Sequence, residues 1–95
     1  MTTEITHSET AEDSAAFMRA LGKRVRLLRL TAELTQEELA AAAGMSRSFV
    51  SLIEHGAHGV DVVRLLRLAA VFGVPLPEMI DLERPARPAG WDSER

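Results

Sequence analysis

Residues 35–56 read TQEELAAAAGMSRSFVSLIEHG. Thr35 and Glu38 have the S/T-x-x-E spacing of a capping box, in which each side chain satisfies a backbone N–H that a starting helix leaves unpaired. Leu39 and Ala43 then fall four apart on one face, and Ala40 is small where a second helix must cross closely. Gly44 can take a positive φ without a Cβ penalty, which suits the residue just past a helix end. Ser46 offers a hydroxyl to cap the next helix, and Val50 and Ile53 supply its buried stripe. The run predicts two short helices joined by a glycine-containing turn of about three residues.

Working outward, Phe17, Leu21, Val25 and Leu28 recur at helical spacing and predict a first helix, capped at Asp13 or Ser14 and ending near Leu30 or Thr31. Lys23 and Arg24 fall off its inward face. Leu34 and Leu39 are spaced as a hydrophobic staple. Downstream, Asp61 is the expected N-cap of a helix over 62–72, which is apolar around much of its circumference. Gly73 ends it, and Pro75 and Pro77 open a short fifth helix, where proline is tolerated. Leu76, Met79, Ile80 and Leu82 can close the core or a dimer seam. The expected organisation is a flexible acidic tail over 1–13, one domain over 14–82 and a Pro-containing tail over 83–95, with both tails disordered. Trp91 is there either a loosely held exposed indole or an anchor.

Hydrophobic residues make up 46% of the 95, enough for one aliphatic core. There is no cysteine, which excludes disulfides, thiolate zinc sites and cysteine nucleophiles. Residues 1–16 lack the apolar run of a signal peptide, and no stretch approaches the roughly 20 apolar residues of a membrane span. A cytoplasmic protein with no membrane partner is expected. The net charge is −3, but it is unevenly spread. Residues 1–13 carry four acids and no base, residues 14–32 carry five bases and no acid, and residues 14–82 hold eight basic against seven acidic side chains.

The two-helix run is the sequence form of a helix-turn-helix. With its flanks it resembles the lambda-repressor/Cro-like helix-turn-helix domain, in the xenobiotic-response-element group. The resemblance rests on four blocks in order: LGKRVRLLR from Leu21, LTQEELA from Leu34, AGMSRSFVSLIEHG from Ala43 and LLRLAAVFGVPLPEMI from Leu65. It implies an all-α, five-helix DNA-binding domain that regulates transcription, as a homodimer on a palindromic operator, with the helix from Arg47 to about His55 in the major groove. Gln36 matches the family position that bonds a DNA phosphate. Arg47, Ser48, Ser51 and Leu52 match the exposed face of the recognition helix. Arg47 is suited to a guanine edge or to a phosphate. Phe49 meets either DNA or the rim of the core. Arg24, Thr35 and His58 complete the candidate DNA-contacting set. Arg29 and Glu54 match a family ion pair that orients the recognition helix.

Two departures stand out. Leu52 replaces a residue that is commonly Arg or Gln. The following loop, His55-Gly56-Ala57-His58-Gly59, lacks the usual phosphate-binding cations, which predicts binding that is weaker, more dimer-dependent or sensitive to pH through the two histidines. His55 and His58 form an H-x-x-H pair, too few ligands for a metal site; no metal or cofactor is expected. These departures keep open a second reading, a protein-interaction module on the same fold, antitoxin-like or a co-regulator, with a protein partner and weakened DNA binding. No residue set supports an enzyme.

Overall fold

The computed structural model describes residues 7–82, with side chains from residue 11 onward. The chain forms α1 (His7–Thr31), α2 (Gln36–Ala43), α3 (Arg47–Glu54), α4 (Val62–Phe72) and α5 (Leu76–Ile80), with no strand among the described residues. The all-α, five-helix architecture is the expected one.

Each boundary has a local chemical cause. Thr35 and Glu38 form the capping box in both directions, with the Thr35 hydroxyl accepting from Glu38 N–H and the Glu38 carboxylate from Thr35 N–H. Ser46 Oγ accepts from Phe49 N–H at the start of α3, and Asp61 Oδ1 from Arg64 N–H at the start of α4. Gly44 ends α2 with φ 72°, in the left-handed region. There Met45 N–H reaches Ala40 O, the 6→1 bond of a Schellman end. α1 ends by the same device, with Leu34 N–H on Arg29 O, but Glu33 holds the left-handed position at φ 60°.

The core is aliphatic. Leu21 and Val25 of α1 meet Leu39, Ala40 and Ala43 of α2, Val50 and Ile53 of α3, Leu65, Leu68 and Ala69 of α4, and Met79 of α5. Leu34 packs against this cluster beside the α2 start.

Three expectations about α1 are corrected. The helix starts at His7, so Asp13 and Ser14 lie inside it rather than capping it, and 7–13 is helical rather than tail. Glu and Ala are frequent there, and extending a helix that is already nucleated is cheap. Phe17 is not inward-facing: it is 45% exposed, because α1 at this point runs past the edge of the core. Arg24 is not off the inward face but buried, with Nη1 donating to Glu78 O and Nη2 to Asp81 O, at 3.0 and 3.1 Å. Carbonyls at a helix end need outside donors, and the long arginine stem carries the guanidinium from α1 to the end of α5. Residues 1–6, the 83–95 segment and Trp91 lie outside the described residues.

Gly22, in the middle of α1, positions α3. A Cβ at Gly22 would lie 2.3 Å from Ile53 O and 2.8 Å from Glu54 O, both backbone atoms. Only a glycine lets α1 and the last turn of α3 come this close.

Candidate nucleic-acid interface

α3 is held at its C-terminal end by charge. Arg29 grips Glu54 with two bonds, Nε to Oε2 at 2.7 Å and Nη2 to Oε1 at 3.1 Å, and sends Nη1 to Leu34 O at 2.8 Å. Gln36 Nε2 adds a bond to Glu54 Oε1 at 3.0 Å. The Glu54 carboxylate thus ties the C-terminal end of α1 and the first residue of α2 to the last residue of α3. Hydrogen bonding to the Glu54 carboxylate raises the Arg29 pKa further; burial opposes this, and the Coulombic attraction of Glu54 reinforces it. The expected Arg29–Glu54 pair is therefore present, and Gln36 belongs to it.

The N-terminal end of α3 is open. Arg47 and Ser48 are exposed, Ser51 is half-buried and Leu52 is 42% exposed. These four lie opposite the buried Val50 and Ile53. Arg47 also joins Arg29, Thr35, Gln36 and Glu37 around one polar cleft where the starts of α2 and α3 meet. Of the candidate DNA-contacting residues, then, Thr35, Gln36 and Arg47 share a cleft, and Ser48, Ser51 and Leu52 continue the outward face. Arg24 stands apart, its guanidinium turned to the end of α5.

Phe49 is half-buried at the core rim. The His58 ring meets it edge-on, centroids 5.1 Å apart at 69°, and the Arg64 guanidinium lies 5.3 Å from its centroid. Arg64 also pairs with Asp61. Hydrogen bonds from the Arg64 backbone and then from its side chain hold the Asp61 pKa below the usual carboxylate value. His58 Nδ1 bonds Gly59 O at 2.7 Å, and His55 Nδ1 bonds Ser51 O at 2.8 Å.

Gly22 and Arg64 were not among the sequence candidates. The Asp61-x-x-Arg64 spacing is a readable signal for that ion pair. The close approach at Gly22 has no local signature. Among the described residues, no group of three or more His, Cys, Asp or Glu side chains could hold a metal ion, and no helix is long and apolar enough to cross a membrane.

Two short helices at a capped turn, the second open at its start and fastened at its end, define a helix-turn-helix protein. Residues 20–82 match the family model described as a helix-turn-helix domain, and the chain belongs to that family. It is 34% identical over 62 residues, 65% of this chain and 80% of the relative, to an uncharacterised helix-turn-helix-type transcriptional regulator of Sinorhizobium fredii. It is 34% identical over 65 residues, 66% of this chain and 88% of the relative, to the control protein C.MunI of a Mycoplasma species. Among solved structures it is similar to the restriction-modification controller protein C.AhdI of Aeromonas hydrophila, with TM-score 0.65 and 36% identity over 67% of this chain and 97% of that one. It is also similar to the clp gene regulator ClgR of Corynebacterium glutamicum, with TM-score 0.67 and 26% identity over 70% of each chain.

Proposed function

We propose that this protein is a transcriptional regulator that binds specific double-stranded DNA in the cytoplasm, as a homodimer on a palindromic operator, and is not an enzyme. The observation that carries the reading is the asymmetry of α3, whose outward Arg47, Ser48 and Leu52 are exposed while its rear is held by Glu54, Arg29 and Gln36. A helix presented this way enters the major groove by its N-terminal residues. Arg47 supplies paired donors for a guanine edge, and Ser48, Ser51 and Leu52 read neighbouring bases by hydrogen bonding or methyl contact. The cleft at the start of α2 suits a phosphate, since backbone N–H groups and the helix dipole favour an anion there.

The dimer is supported by apolar side chains that the single chain leaves exposed: Val62 at 63%, Val63, Leu66 and Ile80. A two-fold pair would set two α3 helices about 34 Å apart, one turn of the duplex. The names of C.MunI and C.AhdI support a controller-type role.

Selection of bound sequences from a random duplex library tests the reading, together with a salt titration of affinity. A recovered site with two-fold symmetry and a steep salt dependence is expected. A monomer in sedimentation at high concentration would remove the palindrome. The second reading, a protein-interaction module, is favoured by the Gln36 amide being engaged with Glu54 and by the lack of any Lys or Arg over 48–63. No recovered site and a salt slope near zero would select it.

A further inference from the structure

We propose that His55 and His58 are proton-gated contacts to the DNA backbone, so that affinity rises as pH falls through the histidine range. This deepens the DNA-binding reading and rests on it.

The geometry fixes what each ring can offer. A carbonyl oxygen only accepts, so Nδ1 must donate in both the His55–Ser51 O and His58–Gly59 O bonds. In the neutral ring the remaining nitrogen, Nε2, then carries a lone pair, and it cannot bond a phosphate oxygen. Protonation turns that same atom into a charged N–H donor without moving the ring. Both side chains are exposed, and the edge contact with Phe49 steadies His58. No Lys or Arg lies between Arg47 and Arg64. Protonation is therefore the only means by which 48–63 gains positive side-chain charge. His55 also caps the C-terminal end of α3, where the helix dipole favours a cation.

The charged groups around the pair come from every neighbouring helix. On α3, Glu54 is held by Arg29 and Gln36. On α4, Asp61 and Arg64 pair with each other. On α1, Arg19 packs beside Gly56, and Asp13 lines the same groove as Gly59. The duplex phosphates add a dense negative charge only when DNA is bound. Protonation and DNA binding therefore reinforce each other, and by linkage each raises the other's affinity by the same factor.

The test is a titration of the full chain on two labelled duplexes, one carrying the selected sequence and one of random sequence and equal length. Between about pH 8 and about pH 5.5, affinity should rise about tenfold per histidine and the salt slope should steepen by about 0.9 for each. In the H55Q/H58Q double variant the two affinities should agree within about twofold, a residual dependence left to the carboxylates. Imidazole C–H resonances followed by NMR should give higher pKa values with DNA bound than free, a shift that a purely structural role would not produce. A flat pH profile, an unchanged profile in the double variant, or histidine pKa values indifferent to DNA would overturn the inference while leaving DNA binding intact. Absence of binding to either duplex at any pH would overturn both.

Discussion

At its C-terminal end α3 is pinned: Glu54 takes bonds from Arg29 and Gln36, and the backbone presses on Gly22. At its N-terminal end the Ser46 hydroxyl caps the helix, and Arg47 and Ser48 stand exposed in its first turn. The two ends divide the work. Anchoring sets where the helix lies, through the buried Glu54 carboxylate and the close approach at Gly22. Apart from the Ser46 cap, the open end can then carry the side chains that the ligand requires, since Arg47 and Ser48 are exposed.

Mutations separate the two ends by size of effect. Glu54→Ala should be the most damaging, at about 3 kcal/mol in chemical denaturation, because it leaves the Arg29 guanidinium largely buried without its carboxylate. Replacing Arg29 and Glu54 together with apolar residues should cost less than that. Gly22→Ala should follow at roughly 2 kcal/mol, since its Cβ forces α1 away from backbone that cannot yield; equal stability would mean the last turn of α3 is not held. At the open end, Ser46→Ala should cost about 1 kcal/mol, the usual value of a lost N-cap. Arg47→Ala should move stability by less than about 0.5 kcal/mol. The same change should weaken DNA binding by about 1–3 kcal/mol and relax the preference at one base pair. A large stability loss in Arg47→Ala would break the division between the ends.

Features written locally were legible in the sequence. The capping box at Thr35, the caps at Ser46 and Asp61, and the Gly44 turn each depend on a few neighbouring residues, and all form as the sequence predicts. Of the candidate site, the outward set of Arg47, Ser48, Ser51 and Leu52 and the Arg29–Glu54 pair were readable only through the family resemblance, not from neighbouring residues. What failed depended on partners far along the chain. Nothing near Arg24 indicates that the end of α5 will come to it, and nothing near Gln36 fixes where Glu54 will lie. Gly22 carries no local mark of its close approach to α3. Phe17 has the right period but lies beyond the reach of the core. The start of α1 is hidden in the sequence for a different reason: continuing an existing helix needs no capping signal, so the acidic run merges into it.

The burial of Arg24 has a kinetic consequence. Its bonds to Glu78 O and Asp81 O join residues 54 and 57 positions apart, whereas α1 to α2, α2 to α3 and α4 to α5 are linked by three or four residues each. Short connections let helices pair at little entropic cost, while closing a long loop comes dearer. Docking of α5 on Arg24 is therefore expected late in folding. A contact made after the rate-limiting step adds little to the speed of folding and mainly delays unfolding, so removing this guanidinium is expected to speed unfolding more than it slows folding.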